Sequence, residues 1–359
     1  MDRMNVLHVI TDRDRRGAQV YATDLARGLA MLGCEGQVVA LTTGRHGDIL
    51  EVDALGPSRR SMKTLRELRR RAGNFDIVVA HGSATLLACA VALLGTGIPF
   101  VYRQISDPLY WAASWPRRLR VALLIRRASA VVALSSSTAS VLARHYHLPV
   151  ESLVVIPNSV PAAPFEVATR QQAVSARRSL GVPEDGTVAL YIGALAQEKG
   201  VDIAISAVVA DAGVSLLVVG DGPAAGQLRE LAEKMAPARV FFVGSLGDPT
   251  SAYHASDMIL LPSRGGDSMP AVLIEAGLCG LPAVTTPVGA ITDVIQDRVT
   301  GRVVPVADQS AFSGAVAELV KDADTRLRLG RAARDHCTEH FTIEATAPSW
   351  LELLRGVSG

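Results

Sequence analysis

A single rhythm runs through the 359-residue sequence and leaves few folds open to it: short unbroken runs of Val, Ile, Leu and Ala alternate with longer stretches of helical periodicity. Strands buried on both faces of a parallel sheet read as continuous apolar runs, and the helices between them provide the crossovers. In the first half the runs are Val6–Ile10, Gln37–Leu41, Ile77–Ala80, Phe100–Arg103, Ala130–Leu134 and Leu153–Pro157. The second half repeats the scheme with Thr187–Ile192, Ser215–Val219, Val240–Val243, Met258–Leu261, Ala283–Thr285 and Gly301–Val304, and with helices such as Asp202–Ala210 and Gln227–Ala236 between them. The expected class is α/β: parallel sheets covered by helices on both faces, with ligands at the carboxyl ends of the strands.

A chain of this length exceeds what one hydrophobic core usually supports. The rhythm lapses once, from Asn158 to about Gly181, through the proline-broken Ser159-Val160-Pro161-Ala162-Ala163-Pro164, a composition that discourages regular structure. We therefore expect two doubly wound, Rossmann-like domains, 1–160 and 181–340, facing each other across a cleft. The helical tail 341–359 is left over.

With 49% hydrophobic and 20% charged residues, the chain can bury large cores and is no disordered polymer. The longest apolar run, near Leu86 to Leu94, falls short of the ~20 residues of a membrane-spanning helix. The first strand follows Met1, Asp2 and Arg3 so closely that no signal peptide fits. Cys34, Cys89, Cys279 and Cys337 are widely spaced, which argues for reduced thiols rather than a zinc site. A cytoplasmic enzyme is the expectation. The net charge of +1 hides an asymmetry, for residues 1–160 hold 20 Lys/Arg against 12 Asp/Glu and the remainder holds 16 against 23. The basic half either meets something anionic, such as a phosphorylated acceptor or a membrane surface, or reflects an Arg-rich proteome. The segment Tyr110 to Arg120, continued by Arg126-Arg127, mixes aromatic and basic residues as interfacial helices do, and leaves peripheral contact at the inner membrane face open beside a solvated helix. No recognisable nucleic-acid module accompanies the basic residues, so nucleic acid is not an expected partner.

Several loops carry chemistry-bearing residues. Arg16-Gly17-Ala18 follows the first strand, and a glycine there lets backbone approach a phosphate at a helix N-terminus beginning near Val20. Beside it Asp12-Arg13-Asp14 has a spacing that can hold a divalent ion, yet we expect a solvated loop and no metal, because it follows the first strand. In the second half, Gly193 to Gly200 places Lys199 at a strand-to-helix turn, where an ammonium can sit on a diphosphate. Asp267 and Glu275 straddle a helix entry around Pro270, with an acid at the helix start and another two turns on. His81 ends a strand before Gly82, facing either a sugar or the core. His145 and His147 have no other metal ligands nearby in sequence.

In this order and spacing the motifs resemble the retaining glycosyltransferases of family 4, which have the GT-B fold. The pieces are Gly-x-Leu-x-x-Glu-Lys-Gly at 193–200, Val-Gly-Asp-Gly-Pro at 219–223, Leu-Pro-Ser-Arg at 261–264, the acid-x7-Glu element at 267–275, Glu-Ala-Gly-Leu-Cys-Gly-Leu-Pro at 275–282 and Val-Gly-Ala-Ile-Thr-Asp at 288–293. The resemblance implies a nucleoside-diphosphate sugar as donor substrate, a hydroxyl acceptor and no further cofactor. It also implies roles. Lys199 binds the diphosphate with the Gly17 amide, Gly193 and the backbone after Gly289. Glu275 accepts from the ribose hydroxyls. Asp267, with the amides of Ser268, Met269 and Ala271, holds the sugar and nearer phosphate, and backbone around Leu246 meets the base. The family's terminal helix packs back on the first domain, which is the expectation for 341–359.

The chain also departs from the family, which usually has Arg at Ala194, Glu at Asp267 and paired glycines at Arg16-Gly17 and Gly289-Ala290. A His common after the strand following Pro99 is absent, for the stretch reads Tyr102-Arg103-Gln104. Arg264 is the nearest candidate to replace the missing cation on the phosphates; the alternatives are pairing with Asp267 or solvation. These departures keep two other readings open: a nucleotide-sugar-binding protein with weak or no turnover, and an epimerase or phosphorylase on the same architecture.

Overall fold

The computed structural model describes residues 4–44, 49–105 and 115–358. The aromatic residues Tyr110 and Trp111 lie outside them. The chain forms two compact units, one of residues 1–160 with 343–359, the other of residues 161–342.

Unit 1 runs β1 (Asn5–Asp12), α1 (Gly17–Met31), β2 (Glu35–Thr42), β3 (Asp53–Ala54), α2 (Met62–Ala72), β4 (Ile77–His81), α3 (Ser83–Ala92), β5 (Phe100–Arg103), α4 (Trp115–Ile125), β6 (Ala130–Ala133), α5 (Ser136–Tyr146) and β7 (Leu153–Val155). The sheet is parallel in the order β3-β2-β1-β4-β5-β6-β7. Side chains alternate between two helical layers. Leu7, Val78, Val131 and Tyr102 face α2 to α5, whereas Val6, Ile77, Val79, Val101 and Val132 pack beneath α1. The two-residue edge strand β3 carries no apolar run and went unread in the sequence.

Unit 2 opens with α6 (Arg170–Leu180) and continues β8 (Thr187–Ile192), α7 (Val201–Ala210), β9 (Val214–Val219), α8 (Ala225–Met235), β10 (Val240–Gly244), α9 (Thr250–His254), β11 (Met258–Leu261), α10 (Ala271–Leu278), β12 (Ala283–Thr285), α11 (Ile291–Val294), β13 (Gly301–Val303), α12 (Gln309–Lys321) and α13 (Ala323–His340). Its parallel sheet has the order β10-β9-β8-β11-β12-β13. Helix α6 corrects the expectation that order lapses until Gly181. Thr169 and Gln172 form a reciprocal capping box at its start, and Gly181 ends it in a left-handed conformation.

The last helix, α14 (Ile343–Ser358), belongs to unit 1. Ile343, Ala347, Trp350, Leu351 and Leu354 complete the layer under α1. The two helices lie so close that a Cβ on Gly28 of α1 would stand 2.3 Å from the Ile343 side chain. The Trp350 indole donates to the Tyr21 hydroxyl at 2.9 Å. Among the described residues, no helix is long and apolar enough to cross a membrane.

Candidate functional site

In a doubly wound sheet the strand order reverses at one place, where the loops leaving two neighbouring strands diverge and open a crevice. In unit 2 that place is between β8 and β11. The loop after β8 holds Gly193 and Lys199, and the loop after β11 holds Ser263, Arg264 and Asp267. The loops are stitched together. The Arg264 amide donates to the Glu198 carbonyl at 2.7 Å, and Gly200, at φ 67°, lies where any Cβ would meet the Pro262 carbonyl. Across this seam the Lys199 ammonium pairs with one Asp267 oxygen while the Ser263 hydroxyl donates to the other. The side chains of Lys199 and Asp267 stay 19% and 12% exposed, so a ligand can reach both.

Asp267 is not on the helix that follows. Pro270 is the N-cap of α10, and Asp267 stands in the loop before it, because Lys199 and Ser263 hold its carboxylate back toward β11. Met269 is buried and Ser268 and Ala271 half-buried. The loop after β12 closes on the same place: the Ala290 amide donates to the Ser268 carbonyl at 2.6 Å, and Gly289, at φ 59°, leaves no room for a side chain against the Asp267 and Ser268 carbonyls. Glu275 faces out of α10 half-buried, and one of its oxygens accepts from the hydroxyl of Tyr253, a buried residue of α9. Burial, then the Glu275 charge, pushes the Tyr253 phenol far above its ordinary range, so it remains a donor. Leu246 follows the edge strand β10, half-buried.

Arg264 pairs with Asp202 rather than with Asp267 or solvent. Its guanidinium grips Asp202 at 2.6 and 2.8 Å and the Gln197 carbonyl at 2.9 Å, and the Asp202 carboxyl is held below its ordinary range by that bond. It is committed to bracing the first turn of α7 and does not face Asp267. Ala194 is exposed, with its carbonyl bonded to the Tyr191 hydroxyl at 2.8 Å.

Unit 1 holds the remaining residues. Gly17 is the first residue of α1, which begins three residues earlier than expected, and a Cβ there would meet nothing within 4 Å. Packing therefore does not require a glycine at that position. Asp12 and Asp14 are not a solvated loop. Both are buried; Asp12 accepts from Arg16 at 2.5 Å, Gln19 at 3.0 Å and Arg59 at 3.5 Å, and Arg16 lies 3.8 Å from Asp14. His81 stands on no open rim. It is 2% exposed, and its Nε2 lies 3.1 Å from Nδ1 of His8 on β1, which holds it in the core reading rather than at a sugar. Burial lowers both histidines, His8 to about 4. Two of the basic residues near α4 are already engaged, Arg118 donating to the His145 carbonyl at 3.2 Å and Arg126 to that of His147 at 3.1 Å. Sequence reasoning missed Tyr253, Asp202 and Ser263 as partners. Ser263 sits inside a quoted motif, whereas Tyr253 lies 22 residues from Glu275 and carries no local signal.

Comparison with known proteins adds to this geometry. The model for glycosyl transferases group 1 matches residues 174–336, and the model for Glycosyltransferase Family 4 matches residues 15–163. The chain belongs to the family 4 glycosyltransferases. A D-inositol 3-phosphate glycosyltransferase of Salinispora arenicola is 27% identical, over 97% of this chain and 88% of its own. One of Jonesia denitrificans is 26% identical, over 94% and 90%. Among solved structures, Anabaena HepE in complex with UDP and glucose superposes with a TM-score of 0.87 at 20% identity, covering 98% of this chain and 100% of that one. In this family 4 glycosyltransferase the first matched segment contains Lys199, Asp267 and Glu275 and the second contains Gly17 and His81, while α14 falls outside both.

Proposed function

We propose that this glycosyltransferase binds a nucleoside-diphosphate sugar in unit 2, transfers the sugar with retention at the anomeric carbon, and uses Lys199 in place of a divalent metal. The pairing of Lys199 with Asp267 at the switch point, beside the amino end of α10, carries the reading. A diphosphate entering there draws the ammonium to itself, since two adjacent singly charged phosphates outcompete one carboxylate for a point charge. Asp267, still held by Ser263, then accepts from hydroxyls of the donor sugar. The amides of Ser268, Met269 and Ala271 meet the nearer phosphate at the helix end, and Pro270, lacking an N–H, contributes none. Glu275, its rotamer set by Tyr253, accepts from the ribose, and the backbone near Leu246 meets the base.

The sugar–phosphate bond breaks as the acceptor oxygen bonds to the same face of the anomeric carbon, and the departing phosphate oxygen takes the acceptor proton. Positioned positive charge on the leaving group and correct placement supply the catalysis. The UDP and glucose bound by the HepE relative support a UDP-type donor. The acceptor named in the curated relatives, with the basic excess of residues 1–160, supports a phosphorylated polyol as acceptor.

The test is a panel of UDP-, GDP- and ADP-sugars scored for sugar release with and without EDTA, followed by NMR of the product anomer. Release from one nucleotide class, unaffected by EDTA and with the donor's anomeric configuration kept, is expected. Complete loss in EDTA with rescue by manganese, or inversion of configuration, overturns the proposal.

A further inference from the structure

Arg103, the last residue of β5, is an interior cation that the donor site leaves unused. It is 1% exposed. Its Nη2 donates to the Asn158 side chain at 2.9 Å, and its guanidinium lies over the Tyr21 ring with Cζ 3.5 Å from the centroid. Nε and Nη1 have no hydrogen-bond partner; together they carry three of the five guanidinium N–H groups. No carboxylate among the described residues pairs with it, although the other buried arginine among them, Arg177, holds Asp257 at 2.8 Å.

Its neighbours are polar and also incomplete. His81 and Arg103 are directly in register on β4 and β5. The rings of Tyr21 and His81 lie 6.2 Å apart, and those of His8 and His81 stack at 5.4 Å. Nδ1 of His81 and Nε2 of His8 are buried without partners. Both imidazoles are held neutral by burial, so neither competes with Arg103 for an anion. When His8 donates from Nδ1 to His81, the His81 proton sits on Nδ1, leaving one more free N–H in the group. The cluster tops the apolar layer under α1 at the carboxyl ends of β4 and β5, adjoining the β1–β4 reversal of the first sheet, where a doubly wound sheet takes its ligand. Trp350 of α14 fixes the Tyr21 hydroxyl, so the last helix holds one wall.

Among the described residues this buried charge meets only neutral partners, Tyr21 and Asn158, and no carboxylate, and a fold selected only for stability replaces such a group by an apolar one. We infer that Arg103, with His81 beside it, is the receptor for an anionic group, a phosphate or carboxylate, on the acceptor. This rests on the proposed function only for the word acceptor. The shared chemistry has a second source in the donor diphosphate, which the proposed site assigns to Lys199.

The experiment uses the full chain and two probes, inorganic phosphate and UDP, each followed by thermal unfolding at matched ionic strength. In Lys199→Ala the stabilisation by phosphate should persist while that by UDP is lost. In Arg103→Met, where an unbranched side chain fills the same volume, the apparent phosphate affinity should fall about tenfold or more while the UDP response remains. Without any anion, Arg103→Met should unfold at the same temperature as wild type or higher, an outcome that a merely structural arginine would reverse. Arg103→Lys keeps the cation and should keep a weakened phosphate response, which decides the matter if the methionine variant does not fold. The inference is overturned if phosphate fails to stabilise Lys199→Ala, or if Arg103→Met responds to phosphate as wild type does, meaning the ion binds elsewhere. Loss of the UDP response at neither lysine nor arginine would instead sink the donor site and leave the anion receptor standing.

Discussion

At the scale of single residues, Lys199 and Asp267 neutralise each other, so at the proposed donor site binding a diphosphate would cost the breaking of an ion pair. Asp267→Asn removes that competitor. Nucleoside-diphosphate affinity, measured calorimetrically, should rise by about three- to tenfold, because the freed ammonium makes a charge-assisted bond without first giving one up. Turnover should fall at the same time, as the sugar loses a charged acceptor. Weaker diphosphate binding in this variant would show that Asp267 is not the lysine's resting partner in solution. The sequence displayed Lys199, Asp267 and Glu275 because each sits in a short local motif whose spacing a turn or helix entry dictates. Their partners were illegible for the opposite reason. Tyr253 and Asp202 reach Glu275 and Arg264 across 22 and 62 residues, and only the folded sheet brings them together.

Elements were easier to read than contacts. The twelve apolar runs read as strands all became strands of the two parallel sheets, since burial on both faces demands an uninterrupted pattern, whereas the longest apolar run, near Leu86 to Leu94, lies mostly in helix α3. The misses have local causes: β3 pairs through only two residues, Asp53 and Ala54, and α6 has a mean composition dominated by Arg, Gln and Ser that masks its Thr169–Gln172 capping box. The packing of α14 on α1 can be tested directly. A methyl group at Gly28 would stand 2.3 Å from the Ile343 side chain, so Gly28→Ala should cost about 1–3 kcal/mol by overpacking, against a gain of under ~1 kcal/mol in helix propensity. The paired variant Gly28→Ala with Ile343→Val, which removes a methyl from the opposing side chain, should recover part of that loss in urea unfolding. Equal loss in the single and double variants would mean that the two helices do not meet at this point.

For the molecule as a whole, the two units carry their titrating groups unequally, and the fluorescent probes follow the same division. All three tryptophans, at 111, 115 and 350, lie in unit 1, so tryptophan emission follows that unit alone. His8 has a folded pKa of about 4 against 6.5 for the free side chain. Between those values the unfolded chain binds a proton that the folded chain refuses, so stability is complete above pH 6.5 and declines as pH falls toward 4, by at most about 1.4 kcal/mol per pH unit for each such histidine. Urea midpoints followed by tryptophan emission should therefore drop between pH 7.5 and 5, with the drop reduced in His8→Gln; a flat profile in wild type would mean the histidines are hydrated. The connectivity of the units has one further consequence. The chain leaves unit 1 at Val160 and re-enters at Ile343, whose amide bonds to the Val160 carbonyl at 2.9 Å. During synthesis, domains usually fold in the order in which they emerge from the ribosome. Here the unit that emerges first must wait for its closing helix until some 180 intervening residues have been made, and a ribosome that stalls before Trp350 releases a protein whose second unit is finished and whose first is still missing part of its core.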